Sequence, residues 1–447
     1  MNKSPVFYEK EKVGITTILD TTNRLSRSID EKKDTSEEVF VRADADMLRL
    51  SLSKFLEYLL TCFVRNTPEM RLQQLKSATI QERSEIEERV QVEPIATEAK
   101  DFLNISVDRE LSEKLKYEYF RQDIENQRID IRFFYLGPDS VDLWFEIINR
   151  SVYKFNELGR ENIKKNASEL INVILENSPR ATHVDFIDLG VGAAIKDFYL
   201  LNALLKRIPE GNDRMNYIPL DYSIAIIQKT MDYMDGLMDT YPNKLHIEGI
   251  LGDFYRLIKY RDRINELSKS PKVFALLGNI LGNVDEYRIL TAVTKTMNSN
   301  DLFLLEIDLI DNRTDDELEV GYGTDDITKK FFLYPLLKNF KAQNKRTNTT
   351  IEDFELTSTI QDLSIIPNSK TVVTSASYGE SNLEKIDLVR SHKYDLQSVL
   401  DYMYSSWKLE HIKTYTEKNS CLLLMRKKPI KVSTAMPITV ESQLSKN

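Results

Sequence analysis

The stretch VDFIDLGVGAAIKDFYLLNALL, residues 184–205, decides the fold. Apolar and β-branched residues lead into Gly190-Val191-Gly192, and from there the apolar positions recur at helical spacing. Glycine permits a sharp turn and a close approach of a ligand to the backbone. The helix that follows points free N–H groups at whatever occupies the crevice. The stretch therefore predicts the strand, glycine turn and helix of a nucleotide-type site.

Composition excludes several other classes of protein. The chain has 447 residues, 41% of them apolar and 29% charged, which is ordinary for a soluble globular protein. A net charge of −9 argues against a general nucleic-acid surface. Two cysteines and four scattered histidines give no metal-ligand spacing. With no apolar run of about 18 residues and no apolar leader, we expect a cytoplasmic protein without a membrane segment.

Strands and helices alternate after the glycine turn. Predicted strands at 184–189, 216–220, 245–250, 272–277 and 301–309 are separated by helices, which is typical of a parallel sheet built from βαβ units. The polar stretch 311–384 interrupts the series, which resumes with a strand at 384–391 and a helix at 395–406. A hairpin of strands 407–416 and 419–427 ends it. An antiparallel hairpin closing a doubly wound, mostly parallel α/β sheet is typical of class I methyltransferases.

The same patterns divide the chain into six segments. Residues 1–125 read as a helical N-terminal extension whose role the pattern leaves open, and which could recruit a protein partner. Residues 126–180, with a predicted strand at 129–137, are a segment before the core that contributes to the substrate domain. Residues 181–310 are the cofactor-binding core, 311–384 an inserted substrate or lid region, 385–430 the end of the core sheet with its last parallel strand and hairpin, and 431–447 a tail.

Polar and aromatic residues stand where successive strands end, which is where open parallel sheets bind ligands. Asp221 follows the second strand and can accept both hydroxyls of a ribose. Asp253 can accept from an adenine amino group while Phe254 covers the ring. The glycines of the turn admit a methionine-like tail close to the backbone, and Lys196 can pair with its carboxylate. These residue types suit an adenosine with a cationic amino-acid tail.

Each of these residues also has a simpler interpretation. An aspartate at a strand end is often the N-cap of the next helix. Phe254 by itself is a core residue, and Lys196 by itself is a solvated helix residue. The recurrence of suitable residues at successive strand ends favours the ligand site over these separate explanations.

Four segments resemble a known family: FIDLGVGAAIK (186–196), YIPLDYS (217–223), GILGDF (249–254) and LLGNILGN (276–283). In this order they resemble the histidine-specific N-methyltransferases of the ergothioneine-pathway type, and the resemblance runs from about Ile131 to Lys428. It implies a class I methyltransferase fold and S-adenosylmethionine as cofactor. The family's cofactor contacts fall on Gly190, Lys196, Asp221, Asp253 and Phe254.

The resemblance also implies residues that hold the methyl acceptor. The family's substrate asparagine falls on Asn283, and its two substrate tyrosines fall on Tyr153 and Tyr322. A Glu-Val-Ser element of the family reads Val389-Arg390-Ser391 here, so Ser391 is an implied substrate contact. Because valine cannot accept a hydrogen bond from an imidazole, we do not expect histidine itself to be the acceptor.

These observations predict methyl transfer from S-adenosylmethionine to an amine nitrogen of an amino acid, an amino-acid derivative or a peptide. Tyr153 and Tyr322 are expected to position the amine and relay its proton, and no metal is expected. Two alternatives stay open. Attack at another carbon of the methionine chain gives aminocarboxypropyl transfer or ring closure, as in nicotianamine-type synthases. A non-catalytic scaffold that binds S-adenosylmethionine is the other.

Overall fold

The computed structural model describes residues 105–108, 110–111, 113–150, 153–178, 183–209, 214–311, 313–319, 325–342, 349–378 and 385–428. The chain divides into two compact units, Met1–Phe102 and Leu103–Asn447, and all described residues belong to the second. The helices expected within residues 1–104, Tyr322 of the inserted region and the tail 431–447 lie outside the described residues.

The strands of the described part are β1 Ile105–Val107, β2 Asp185–Leu189, β3 Met215–Asp221, β4 Leu245–Ile247, β5 Gly249–Leu251, β6 Lys272–Leu276, β7 Leu302–Asp308, β8 Phe354–Gln361, β9 Lys370–Tyr378, β10 Ile386–Lys393, β11 Leu409–Glu417 and β12 Ser420–Lys427. The α-helices are α1 Glu113–Glu125, α2 Pro138–Asn149, α3 Lys154–Glu176, α4 Ile195–Leu205, α5 Ile224–Thr240, α6 Arg261–Leu267, α7 Ile280–Asn283, α8 Glu286–Thr296, α9 Asp315–Glu319, α10 Asp326–Ala342 and α11 Leu396–Trp407. Short 3-10 helices span Ile131–Tyr135, Phe254–Tyr260 and Ile351–Asp353.

A mostly parallel central sheet organises the described residues. Its strand order is β1-β5-β3-β2-β6-β7-β12-β11, and β4 also pairs with β3. The strands through β7 are parallel, whereas β12 runs antiparallel to both β7 and β11. Every residue of β2 and β7 is buried, as expected for parallel strands covered on both faces. The predicted doubly wound fold with its terminal hairpin is confirmed.

Hydrophobic clusters cover the two faces of this sheet. Phe186 and Ile187, neighbours in β2, point into different clusters, because successive side chains of a strand face opposite ways. One cluster packs β2 and β3 against α3, α4 and α5. The other packs the sheet against α8, α11 and the 3-10 helix that begins at Phe254. The layers leave the carboxyl ends of the parallel strands at one edge, where the site lies.

The predicted strand at 129–137 is wrong, because this segment contains the 3-10 helix Ile131–Tyr135. The Asp130 carboxylate caps that helix by accepting a hydrogen bond from the Arg132 backbone N–H at 3.0 Å. By periodicity, a short apolar run bounded by turn residues fits a strand and a helical turn equally well. The hydrogen bond of the cap therefore determines which of the two forms here.

The predicted strand at 384–391 exists as β10, but it does not join the central sheet. It pairs antiparallel with β9 in a separate three-stranded sheet of order β10-β9-β8. Asp387 and Arg390 of β10 form an ion pair at 2.7 Å and are partly exposed. Such charges suit an antiparallel sheet with one solvated face better than a parallel strand buried on both faces. The segment 311–384 supplies β8, β9, α9 and α10.

Residues 105–125 belong to the same unit as the central sheet. The sequence predicts a helix over 106–122 inside a separate extension, whereas β1 adds to the edge of the central sheet beside β5 and α1 begins only at Glu113. The Ser106 hydroxyl donates to Glu248 at 2.8 Å. A three-residue strand is too short to show an alternating pattern. No helix in the described part of the chain is long and apolar enough to cross a bilayer.

Candidate functional site

A cavity of about 170 Å³ lies at the carboxyl ends of β2, β3 and β6. Helices α2 and α10 contribute its opposite wall. Seven of the residues singled out from the sequence line it: Tyr153, Gly190, Gly192, Lys196, Asp221, Phe254 and Asn283. Asp253 and Ser391 do not, and Tyr322 lies outside the described residues. The structure thus brings most of the predicted site together.

The glycine turn requires glycine at both positions. Gly190 has φ 75° and Gly192 has φ 58°, in the region that side chains disfavour. A Cβ on Gly190 would lie 2.6 Å from Ile280 Cδ1 and 3.7 Å from Phe254 Cε1. The Gly190 backbone N–H donates to the Leu220 carbonyl of β3 at 2.8 Å, which holds the start of the turn against the neighbouring strand. A residue without Cβ at position 190 therefore keeps open the narrow space beside Ile280 and Phe254, which is part of the cavity.

Asp221 ends β3 and presents a buried carboxylate to the cavity. Its Oδ1 accepts from the Ser223 backbone N–H at 2.8 Å. The cap of α5 is Ser223, whose hydroxyl accepts from the Ile226 N–H. Asp221 is therefore not the N-cap residue. Burial raises the pKa of Asp221 to about 7, against the opposing effects of its backbone hydrogen bonds and the Lys116 charge.

Asp253 serves as a cap, the simpler of its two interpretations. Its Oδ1 accepts from the Tyr255 N–H at 2.9 Å, and Arg132 donates to its Oδ2 at 2.6 Å. Arg132 is what lines the cavity here. Asp130 binds the same guanidinium at 2.9 Å, and the Tyr222 ring centroid lies 5.2 Å from it. Arg132 was not predicted as a site residue, because it falls in the segment predicted as a strand and no motif marks it.

Lys196 lines the cavity with its charge already paired. Its Nζ lies 2.6 Å from Glu306 Oε2, and both side chains are buried. Glu306 also accepts from the Gly278 N–H at 2.5 Å and from the Ser420 hydroxyl at 3.2 Å. Gly159 of α3 passes so close that a Cβ there would lie 1.8 Å from Glu306 Oε1 and 2.7 Å from Lys196 Nζ. Glu306 thus ties α4, the turn after β6 and β12 together.

The two asparagines of the GNILGN segment have different positions. Asn279 is fully buried at φ 57°, accepts from the Asp308 N–H at 3.1 Å and donates to Ser391 Oγ at 3.4 Å. It joins β10 to the central sheet. Asn283, one helical turn later, lines the cavity. Ser391 is buried beside Lys393, whose Nζ donates to its hydroxyl at 2.9 Å. Ser391 is therefore separated from the cavity.

Aromatic rings from α2 and α10 form a further wall of the cavity. Trp144 lies 5.7 Å from Phe331 and 6.1 Å from Tyr153 between ring centroids. Val389 of β10 lines the cavity as well and is 5% exposed. Tyr153 and position 389 were singled out from the sequence, whereas Trp144 and Phe331 were not predicted as residues of the site. Their helices were expected in part, yet no local pattern shows that they face this cavity.

A buried carboxyl pair lies below the glycine turn. Burial raises the pKa of Asp197, which lines the cavity, to about 6. Burial and the nearby Asp197 charge raise the pKa of Asp188 well above its usual range. Two buried carboxyl groups side by side cannot both ionise at little cost. Ionisation of one carboxyl of the pair therefore opposes ionisation of the other.

Comparison with known protein families also indicates a methyltransferase. The model of the family described as "Histidine-specific methyltransferase, SAM-dependent" matches residues 120–427, well over half of the chain. No curated protein matches the sequence significantly.

Several solved structures are similar at low TM-scores. They include the CcbJ methyltransferase from Streptomyces caelestis, with 11% identity over 59% of this chain and 90% of that one and a TM-score of 0.29. The mitomycin 7-O-methyltransferase MmcR has 12% identity over 70% and 67%, with a TM-score of 0.35. The glycopeptide N-methyltransferase MtfA has 10% identity over 59% and 87%, with a TM-score of 0.29. Similarities of this size carry no functional argument, so membership rests on the family model. The chain belongs to the histidine-specific, SAM-dependent methyltransferase family.

Proposed function

We propose that this methyltransferase acts on an amine nitrogen of an amino acid, an amino-acid derivative or a peptide. One observation carries the proposal. The cavity that contains the glycine turn, Asp221 and Phe254 is also lined by Tyr153 and Asn283. Residues suited to a nucleoside and residues suited to an amino-acid acceptor therefore share one enclosed space, as transfer between two bound molecules requires.

The lining residues fit S-adenosylmethionine. The space that a Cβ on Gly190 would fill lies against Phe254 and Ile280 and suits a flat ring. Asp221 is a buried hydrogen-bond acceptor that suits a ribose diol. Asp253 is already bound by Arg132, so we propose that Arg132 rather than Asp253 borders the adenine. Lys196, paired with Glu306, is proposed to border the methionine portion with its remaining N–H groups.

The cofactor supplies an electrophilic methyl carbon on a sulfonium. The amine lone pair forms the new N–C bond while the C–S bond breaks, a neutral thioether leaves, and the nitrogen gives up one proton. Asn283 is proposed to orient the acceptor through its amide. The hydroxyls of Tyr153 and Tyr322 are proposed to hold the amine and to relay its proton to solvent, each hydroxyl passing on one proton as it accepts another. Such a displacement needs an aligned, neutral nitrogen about 3 Å from the carbon and no protein nucleophile.

The test is methyl transfer by the purified full chain. Labelled S-adenosylmethionine is incubated with a panel of amino acids and peptides, and products are identified by mass. A gain of one methyl group on nitrogen supports the proposal, and a larger fragment of the methionine chain identifies aminocarboxypropyl transfer instead. Asp221→Ala should abolish transfer. Asp239→Asn, at an exposed aspartate of α5, is the matched control and should leave transfer unchanged. Cofactor binding without transfer to any amine contradicts the proposal.

A further inference from the structure

One wall of the cavity is aromatic and apolar. It consists of Tyr135, Trp144, Tyr153, Phe331 and Val389, all of which line the cavity, and is called the aromatic wall below. Its ring centroids are closely spaced: Tyr135 to Trp144 is 5.6 Å, Tyr135 to Phe331 is 5.5 Å and Trp144 to Phe331 is 5.7 Å. Rings packed at these distances offer a continuous hydrophobic surface to a ligand. Val389 adds no hydrogen-bonding group to it.

Two buried donors of the cavity residues, Trp144 Nε1 and Thr328 Oγ1, have no partner within the described part of the chain. The acceptor Asp197 Oδ1, on another lining residue, has no partner there either. The indole nitrogen lies 4.0 Å from the position that a Cβ on Gly192 would take, so it stands between the aromatic wall and the glycine turn. An indole N–H only donates. Because buried donors without partners are rare and costly, the pair points to a ligand that brings acceptor oxygens.

The cations beside the cavity are already neutralised. Among the described lining residues these are Arg132 and Lys196. Arg132 lies 2.6 Å from Asp253, and Lys196 lies 2.6 Å from Glu306. An anionic group of a ligand therefore meets uncharged donors first. Hydrogen bonds from neutral donors to a carboxylate are charge-assisted and strong, so such a site can hold a carboxylate without a free cation.

We propose that the acceptor is an amino acid with an aromatic or other apolar side chain. The aromatic wall covers that side chain, and the indole N–H of Trp144 and the hydroxyl of Thr328 bind the carboxylate. The inference rests on the proposed function and narrows its substrate class. A histidine or a charged side chain would bury polar atoms against Val389 and the Phe331 ring without partners there, which disfavours its binding.

The first experiment measures kcat/KM for matched acceptors with the full chain and saturating S-adenosylmethionine. We expect phenylalanine and leucine to exceed histidine, lysine and glutamate by roughly tenfold or more, because the polar side chains lose hydrogen bonds on burial. Phenethylamine, which lacks only the carboxylate of phenylalanine, should show a KM raised by a similar factor. A preference for histidine or for charged amino acids would overturn the inference.

The second experiment identifies which carboxylate the two donors bind, since the methionine portion of the cofactor also carries one. Trp144→Phe and Thr328→Val remove the donors and keep most of the volume. We expect Thr328→Val to raise the KM for phenylalanine by roughly tenfold and the KM for phenethylamine by much less. Trp144→Phe also makes the aromatic wall smaller, so it should raise both KM values, with the larger increase for phenylalanine. Neither variant should change the Kd of S-adenosylmethionine. Variants that weaken cofactor binding and affect both acceptors equally would assign the carboxylate to the cofactor and overturn this part of the inference.

A substitution in the aromatic wall tests the side-chain part. Val389→Glu should shift the preference from phenylalanine towards histidine or lysine, because it places an acceptor in the wall. If the glutamate variant does not fold, Val389→Thr is used instead. Threonine is nearly isosteric with valine and adds a smaller polar group to the wall. It should lower kcat/KM for leucine relative to histidine. An unchanged preference in a folded variant would show that this wall does not contact the acceptor side chain.

Binding without turnover separates the inference from the proposed function. Phenylalanine and histidine are titrated calorimetrically into the protein saturated with S-adenosylhomocysteine. Selective binding of phenylalanine without methyl transfer to any amine would refute the proposed function and leave the binding site standing. Methylation of amines with histidine preferred would refute the inference and leave the function standing. Binding of neither, together with no transfer, would refute both.

Discussion

Replacing Asp221 with asparagine is expected to stabilise the ligand-free protein at pH 8. Burial raises the pKa of this carboxyl to about 7 from a usual value of 3.8. The folded protein therefore holds a proton between those pH values that the unfolded chain has released. Its free energy of unfolding falls as pH rises through that window and stays lower above it. Three pKa units correspond to about 4 kcal/mol at 1.36 kcal/mol per unit.

Asparagine removes the buried charge and keeps the local hydrogen bond. Its Oδ1 can still accept from the Ser223 N–H, as Asp221 Oδ1 does at 2.8 Å. In urea unfolding of the ligand-free protein, Asp221→Asn should exceed the wild type by up to about 4 kcal/mol at pH 8, and the difference should vanish near pH 4. The exposed control Asp239→Asn should match the wild type throughout.

The same substitution is expected to weaken cofactor binding. A carboxylate accepts from both ribose hydroxyls, and the loss of a charge-assisted acceptor costs about 1.5–3 kcal/mol, or roughly tenfold to 150-fold in Kd. Calorimetric titration should also show wild-type affinity rising about tenfold from pH 6 to pH 8 as Asp221 ionises, with no such rise in the variant. A wild-type affinity independent of pH, or a variant no more stable than wild type at pH 8, would refute the reasoning.

Three further substitutions, with Gly236→Ala as a control, test the frame of the site. Gly159→Ala places a Cβ 1.8 Å from Glu306 Oε1 and should lower the free energy of unfolding by about 1–3 kcal/mol. Gly236→Ala, at a helical glycine of α5 with nothing within 4 Å, should instead raise it by up to about 1 kcal/mol, and urea unfolding compares the two. Glu306→Gln leaves the buried Lys196 charge without its partner and should cost about 3–5 kcal/mol in the same measurement; an unchanged stability would contradict the pairing. Gly190→Ala puts a side chain at φ 75° and 2.6 Å from Ile280, so calorimetry should show at least roughly tenfold weaker cofactor binding in a folded protein.

The part of the cavity at the strand ends was largely predictable because it depends on local features. Strand ends, glycine turns and the residues beside them lie within a few positions of one another, so the sequence locates Gly190, Asp221 and Phe254 correctly at one edge of the sheet. Contacts between side chains that are far apart in the sequence were not predicted. Arg132 binds the Asp253 carboxylate at 2.6 Å across 121 positions, and Glu306 reaches Lys196 across 110. No periodicity or spacing reports such pairs.

The second sheet shows the same limit at the level of topology. The segment of β10 was correctly predicted as a strand, but the sequence did not show that this strand pairs with β9. Strand β9 lies in the stretch 311–384, which was described only as polar. The charged residues Asp387 and Arg390, which form an ion pair in the structure, are the feature of the segment that argues against burial on both faces. Strand existence follows from local pattern, whereas strand partnership follows from the packing of whole segments.

The two walls of the cavity can therefore change independently. The wall formed by the glycine turn depends on the backbone of the central sheet, where a Cβ at Gly190 would lie 2.6 Å from Ile280. The aromatic wall draws Trp144 from α2, Phe331 from α10 and Val389 from β10, three segments that meet only in the folded protein. A substitution at Val389 alters the aromatic wall, where we propose that the acceptor side chain binds, without touching the glycine turn. Family membership determines the donor of the methyl group, while the acceptor that we propose depends on the aromatic wall, in which valine at position 389 departs from the family's Glu-Val-Ser element.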